Sequence, residues 1–166
     1  MIGDPYPFLT QEYISKSDTL FYIFISQGEE LLIPKAVTFT PVEKDGQEYY
    51  NWGFGDLILN AGTGEYRIDD KIESNNGDAK TVFYTVVSTL NDFFNIHPQA
   101  TVYIEGSSQQ RKNVYRGLIS RHWKQIEPIY LVKGCKRGVI QVFRPGVDFE
   151  YILISMKEPL NLESEK

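Results

Sequence analysis

The stretch that most constrains the fold is residues 100–126, with the sequence ATVYIEGSSQQRKNVYRGLISRHWKQI. Its first residues are β-branched and aromatic, which is typical of a strand, and the glycine and serines that follow favour a turn. From residue 107 onward, apolar side chains recur every three or four positions, which predicts an amphipathic helix. A strand that leads directly into a helix favours a mixed fold.

Short β-type runs flank this stretch on both sides. They predict strands over residues 20–26, 36–42, 49–59, 65–73, 101–105, 129–133, 139–143 and 149–156. A helix is predicted between the N-cap residue Asp78 and His97-Pro98, with a buried stripe of Val82, Phe83, Val86, Leu90, Phe93 and Phe94. We therefore expect an α+β fold, a mostly antiparallel sheet with two main helices packed on one face.

The length of 166 residues is enough for one domain with its own core. Residues 1–19 are interpreted as an N-terminal arm, residues 20–157 as the core and residues 158–166 as a flexible tail. The basic segment 134–138 is predicted to be a turn between two strands. Gly53 and Gly55, inside a predicted strand, indicate a bulge or the close approach of another backbone.

Several classes of protein are disfavoured. No apolar run approaches the roughly 18 residues of a membrane span, and the first residues lack the pattern of a signal peptide. The one cysteine, Cys135, excludes an internal disulfide and favours a reducing cytoplasm. Walker, GxSxG, HExxH and paired CxxC patterns are absent, which argues against P-loop hydrolases, α/β-hydrolases and zinc sites. We expect a cytoplasmic protein that does not enter a membrane.

The net charge of −5 is unevenly distributed along the chain. Residues 107–144 contain nine bases and one acid, whereas residues 43–80 contain nine acids and four bases. One interpretation is a basic face for a polyanion or for an acidic protein partner. The other is that the two segments neutralise each other in the fold.

The turn before the second helix is a candidate anion site, because free N–H groups and the positive helix end point at one spot. The candidate residues are Gly106, Ser107, Ser108, Arg111 and Arg116. Arg111 lies in the first turn, where the helix dipole disfavours a cation by about 0.3–1 kcal/mol. Tyr115, one turn later, would contact the same ligand. The alternative is that Ser107 only caps the helix and Arg111 pairs with an acid.

An acidic constellation is the second candidate. Asp56 lies in a GFGD sequence, and Asp70 lies in Asp69-Asp70-Lys71 on the returning strand. An acid followed by acid-x-lysine is typical of metal-dependent nucleases, in which carboxylates hold Mg²⁺. Asp56 and Asp70 are therefore candidate metal ligands, with Mg²⁺ as the only cofactor suggested. Solvated hairpin acids are the structural alternative.

The segment SNNGD, residues 74–78, is a third candidate. Asn75 and Asn76 could hydrogen-bond a base or a sugar, although a structural loop explains the same residues. His122 has no evident acidic partner or second histidine, which disfavours a ribonuclease mechanism. The candidate catalytic residues are Asp56, Asp70, Asp78, Arg111 and Tyr115.

Taken together, GFGD, IDD, SNNGD and the GSSxxRxxxY segment make residues 49–157 resemble a family of small bacterial proteins known as a domain of unknown function. The family usually has Ser-Thr after the glycine, where this chain has two serines. The resemblance implies a bacterial cytoplasmic protein in which these residues act together: Asp56, Asp70, Asn76, Asp78, Ser107, Arg111 and Tyr115. It names no reaction. By analogy, it suggests a place beside toxin–antitoxin or defence modules.

These observations lead to a functional hypothesis and to alternatives. The hypothesis is that the protein has a phosphate-binding site at a strand–helix junction. It would act on nucleic acid or on a nucleotide and would be a toxin-like or defence-associated protein. The main alternative is a non-catalytic module that binds an acidic protein, using an aromatic patch of Tyr49, Tyr50, Trp52 and Phe54. A small-metabolite phosphate enzyme is a further alternative. Whether the protein is an enzyme is left open.

Overall fold

The computed structural model describes residues 4–12, 18–29, 31–69, 77–105 and 109–157, with the backbone alone at residues 11, 12, 110, 111 and 114. The described residues form nine strands and three helices, and most of the strand pairs are antiparallel. The predicted α+β class with a mostly antiparallel sheet is confirmed. The chain divides into two compact units, Met1–Ile96 and His97–Lys166.

The first unit is a run of antiparallel strands followed by one long helix. Its elements are β1 (Leu9–Glu12), β2 (Leu20–Gln27), β3 (Leu32–Lys44), β4 (Gln47–Leu59), β5 (Tyr66–Asp69) and α1 (Ala79–Ile96). The strands lie in the order β1-β2-β3-β4, and β5 also pairs with β4. The four longer elements, β2, β3, β4 and α1, were predicted from their β-branched runs and their helical periodicity.

An aromatic core joins α1 to one face of these strands. The ring of Phe39 on β3 stacks on that of Phe93 at 4.2 Å between centroids, and Tyr50 on β4 meets Phe93 edge-on. The Tyr22 hydroxyl donates to Asp92 Oδ2 at 2.7 Å. The predicted stripe of α1 is buried, apart from half-buried Val82. The same stripe also includes buried Thr85 and Thr89, whose hydroxyls donate to helix carbonyls.

Two details of the first unit differ from or refine the prediction. Residues 9–12, predicted to be part of an arm, form β1, because they pair with residues 20–23 and satisfy backbone groups of β2. Gly55 confirms the expected close approach of a backbone, since a Cβ there would lie 2.5 Å from the Asp69 carbonyl oxygen. The predicted strand 65–73 is observed over residues 66–69, and residues 70–76 lie outside the described part of the chain.

The second unit contains the strand–helix stretch that was singled out from the sequence. Its elements are β6 (Thr101–Ile104), α2 (Gln109–Arg121), α3 (Trp123–Ile126), β7 (Tyr130–Lys136), β8 (Val139–Val142) and β9 (Tyr151–Met156). The strands lie in the order β6-β9-β7-β8. The ring of Phe143 lies 5.1 Å from Trp123 and 5.5 Å from Phe149, which ties α3 to the segment before β9.

The predicted turn over residues 134–138 is wrong in its extent. The turn consists of Arg137 and Gly138, both with positive φ (53° and 76°), and β7 continues to Lys136. Gly134 stays inside β7 because the ring of Phe149 lies against it, so close that a Cβ would be 2.3 Å from Phe149 Cδ1. The glycine therefore makes room for a ring and does not mark a turn. In the described part of the chain no helix is long and apolar enough to cross a bilayer.

Candidate functional site

In the first unit, two candidate acids lie in a partly buried polar cluster. Lys35 Nζ donates to Asp56 Oδ1 at 2.6 Å, and both side chains are less than one-tenth exposed. The register of β3 and β4 places the two residues opposite each other. Because side chains alternate along a strand, they share the face of Val37 and Phe39, which α1 covers. The Asp56 carboxylate is thus held by an ammonium inside the unit.

Asp78, directly before α1, forms the other half of this cluster. Its Oδ2 accepts hydrogen bonds from Ser26 Oγ at 2.6 Å and from Tyr6 Oη at 2.7 Å. Burial alone would raise the pKa of Asp78, but the hydrogen bonds from Ser26, Tyr6 and its own N–H, together with the charge of Lys35, lower it below its usual range. Asp78 is therefore ionised at neutral pH.

The cluster has a clear structural role, because it fixes the segment before β1 to the helix. The Tyr6 N–H donates to Thr85 Oγ1 at 2.8 Å while the Tyr6 hydroxyl reaches Asp78. Lys35 donates to Asp56, and its charge also contributes to lowering the pKa of Asp78. Two of the predicted catalytic acids are thus influenced by one lysine.

The predicted metal site stays a prediction. Its second ligand, Asp70, lies outside the described residues, as do Asn75 and Asn76. Within the described ranges, no three His, Cys, Asp or Glu side chains gather where they could hold a metal ion. The ammonium of Lys35 lies 2.6 Å from Asp56 Oδ1. A metal ion at Asp56 would therefore have to displace this positive charge or lie beside it.

In the second unit, a shallow groove runs beside the first half of α2. It is lined by Ile104, Lys112, Tyr115, Arg116, Phe149, Glu150, Tyr151 and Ile152. Ile104 and Ile152 are register partners on β6 and β9 and form an apolar floor. Lys112, Tyr115 and Arg116 come from α2 at three- and four-residue spacing, which places them on one side of the helix. The groove therefore combines two cations with two tyrosine rings.

The charges along the groove are only partly balanced. Arg116 Nη1 lies 3.1 Å from Asp148 Oδ1, and Arg116 Nη2 donates to Asn113 Oδ1 at 3.2 Å. Glu150 in the groove wall accepts the Arg137 N–H at 2.7 Å. The first turn of α2 contains no acid that would balance the positive end of the helix dipole. By sequence, the second unit carries eleven bases and seven acids, against six bases and fifteen acids in the first.

The predicted anion site falls partly outside what the structure describes. Gly106, Ser107 and Ser108 are outside the described residues, and Arg111 is described by its backbone, in the first turn of α2. The other predicted residues, Tyr115 and Arg116, line the groove. The site proposed from the sequence therefore stays a prediction, and its described members share one surface.

His122 lies between α2 and α3. Its backbone φ of −107° leaves the helical path, and its side chain makes no capping hydrogen bond to α3. Its N–H still donates to the Leu118 carbonyl at 3.2 Å, and the Ile126 N–H donates to the His122 carbonyl at 3.1 Å. The residue thus marks the break between α2 and α3. From the sequence, one continuous amphipathic helix was predicted here.

The aromatic patch predicted on β4 is packed, not free. Trp52 stacks on Phe39, Phe54 stacks on Phe24, and Tyr50 meets Phe93, all within the first unit. These three side chains and Tyr49 are half-buried. The predicted aromatic interface patch therefore stays a prediction, and the even-numbered positions of β4 among its members pack against rings of the core.

Sequence reasoning missed Lys35, Ser26 and Tyr6 in the first unit and Lys112 and Tyr151 in the second. Lys35 could have been found, since period-two alternation backward from Val37 and Phe39 puts it on the buried face. A lysine on such a face requires a partner. The contribution of Tyr151 depends on how β9 pairs with β6, which no local pattern indicates.

Comparison with known proteins agrees with the resemblance seen in the sequence. Residues 6–157 match the family of unknown function DUF6934. The chain belongs to this family. The match begins at Tyr6 of the polar cluster and continues to the residue after β9, so it covers more of the chain than residues 49–157. No curated protein and no solved structure matches the chain.

Proposed function

We propose that this member of DUF6934 binds a phosphate-bearing ligand, a nucleotide or nucleic acid, in the groove beside α2. The observation that carries the proposal is the joint placement of Lys112 and Arg116 with the rings of Tyr115 and Tyr151 along one groove. Two cations suit phosphate oxygens, and tyrosine rings suit stacking on bases. Gly106, Ser107 and Ser108, the three residues immediately before Gln109, would add backbone N–H groups at the start of the helix.

The electrostatic balance supports a polyanion at this unit. Besides Lys112 and Arg116, the exposed base Arg121 follows at the end of α2. The Arg116 side chain is 28% exposed, so its guanidinium is partly desolvated, whereas the side chain of its partner Asp148 is 61% exposed. A phosphate group that replaced Asp148 at Arg116 would gain a stronger, bidentate charge-assisted pair.

The proposal is tested by fluorescence anisotropy with single-stranded RNA, single-stranded DNA, duplex DNA and ATP across a range of salt concentrations. We expect binding that weakens with salt, and a Lys112→Ala variant that binds about tenfold more weakly at low salt. Lys124→Ala is the matched control, because it removes one positive charge outside the groove. Asp148→Asn should strengthen binding, because it frees Arg116 for the ligand.

The proposal would be contradicted if none of the four ligands bound at low salt. So would equal losses in the Lys112→Ala and Lys124→Ala variants, since that result would indicate a diffuse charge effect instead of the groove. A role beside toxin–antitoxin or defence modules rests on the resemblance alone and follows only if nucleic acid binds. Catalysis by Asp56, Asp70 or Asp78 is a separate proposal, because Asp56 and Asp78 already serve the polar cluster of the first unit.

A further inference from the structure

The strand β8 exposes apolar side chains along its whole length. Val139, Ile140 and Val142 are 61%, 48% and 64% exposed, and Gln141 is half-buried. Among the described strands, β8 pairs with β7 and stands at the end of the order β6-β9-β7-β8. Exposed, β-branched edge strands are rare in folded proteins because they invite pairing with another strand.

The backbone of β8 presents a hydrogen-bonding edge. The Phe143 N–H donates to the Val132 carbonyl, and the two-residue turn at Arg137-Gly138 makes Lys136 and Val139 a bonded pair. Because backbone groups alternate in direction along a strand, the N–H and C=O of Gln141 face β7. Those of Ile140 and Val142 face away from it. The edge therefore offers two residues, at i and i+2, with donor and acceptor directed outward.

The charges around this edge indicate which partner fits. Lys133, Lys136, Arg137 and Arg144 are all exposed beside β8, and the nearby acid Glu150 accepts the Arg137 N–H. A second copy is disfavoured: antiparallel self-pairing over residues 140–142 would bring Arg137 and Lys136 of one copy near Arg144 of the other. A nucleic acid is disfavoured because aliphatic side chains and an open strand edge do not stack on bases.

We propose that β8 binds an extended acidic peptide segment of a partner protein by strand addition. The peptide's backbone pairs with Ile140 and Val142, its alternate apolar side chains pack beside theirs, and its carboxylates face the flanking bases. This surface adjoins the α2 groove at Glu150, and the proposal holds whether or not a phosphate binds in the groove.

The probe is the capped peptide Glu-Val-Glu-Val-Glu-Val-Glu, with its lysine counterpart Lys-Val-Lys-Val-Lys-Val-Lys as the charge control. We expect the acidic peptide to bind in a salt-dependent manner and the lysine peptide to bind at least about tenfold more weakly. In the wild-type protein, saturating acidic peptide should slow amide hydrogen exchange at Ile140 and Val142 and leave Gln141, already bonded to β7, nearly unchanged.

Ile140→Pro is the decisive variant, since it removes an outward N–H without removing a bond to β7. It should weaken peptide binding by about tenfold or more, whereas Lys112→Ala should not change it. Should Ile140→Pro fail to fold, the exchange experiment on wild-type protein decides alone. No slowing at residues 140 and 142, equal binding of the lysine peptide, or the same protection by an oligonucleotide would overturn the proposal.

Discussion

Replacing Lys35 by methionine tests the interpretation of the polar cluster in the first unit. The side chains of Lys35 and Asp56 are 8% and 9% exposed and their charged atoms are 2.6 Å apart. Lys35→Met leaves the Asp56 carboxylate buried without that ammonium, and breaking a buried pair in this way lowers the free energy of unfolding by about 3–5 kcal/mol. That is a large part of the roughly 5–15 kcal/mol by which domains are stable.

The assay is urea unfolding followed by circular dichroism. With a slope of about 1–3 kcal/mol per molar urea, the midpoint should fall by more than about 1 M. The melting temperature should fall by about 6–20 °C for a chain of this length. The double variant Lys35→Met/Asp56→Leu should recover most of the loss, because it removes both charges and fills the space with apolar atoms.

Arg67→Met provides the matched control, since Arg67 pairs with Asp69 at 3.2 Å but is 64% exposed. An exposed pair contributes about 0–1 kcal/mol, so this variant should be nearly as stable as wild type. The reasoning is refuted if Lys35→Met is as mild as Arg67→Met, or if the double variant is less stable than the single one. Either result would mean that Asp56 is not held by Lys35 and would revive Asp56 as an accessible functional acid.

Further predictions concern glycines and pH. Gly134→Ala should lower the free energy of unfolding by about 1–3 kcal/mol, because its Cβ would meet the ring of Phe149 at 2.3 Å. Gly117 lies inside α2, and a Cβ added there would meet no atom of another part of the protein within 4 Å. Gly117→Ala should therefore raise the free energy of unfolding by about 0.8–1.0 kcal/mol, and urea unfolding measures both variants. Because the pKa of Asp78 is lowered in the folded state, its stabilisation is present above about pH 4 and is lost as pH falls through the folded pKa. Asp78→Asn should therefore reduce the loss of unfolding free energy as the pH falls below about 4. Tyr6→Phe should lower the unfolding free energy near neutral pH but keep a loss at acid pH. An Asp78→Asn variant that loses stability as steeply as wild type at acid pH would contradict this.

The elements of the fold could be predicted where one periodicity persisted. The stripe of α1 and the runs of β2 and β4 were long enough for their spacing to indicate the element and the buried face. Shorter or interrupted signals failed: β1 is a four-residue strand whose partner is β2, and residues 13–19 separate the two in the sequence. Gly134 looked like a turn residue because its actual neighbour, Phe149, is distant along the chain.

The candidate residues were predictable as chemical types but not as neighbours. Asp56 and Asp78 were predicted to be functional acids from local motifs, yet Lys35, which bonds to Asp56 and helps lower the pKa of Asp78, lies on β3. Register determines that contact, and register depends on pairing across the whole sheet. In α2, three- and four-residue spacing explains why Lys112 shares one groove with Tyr115 and Arg116, although Lys112 was not among the predicted residues.

The most direct test of the proposed function is the salt dependence of oligonucleotide binding in the double variant Lys112→Ala/Arg116→Ala. Each phosphate contact to a single strand contributes about 0.7 to the slope of log affinity against log salt, so losing two contacts should reduce the slope by about 1.4. If the ligand binds in the groove, the double variant should show that reduction in slope together with weaker binding. The Lys124→Ala control should leave the slope nearly unchanged. A double variant whose slope and affinity equal those of wild-type protein would contradict it.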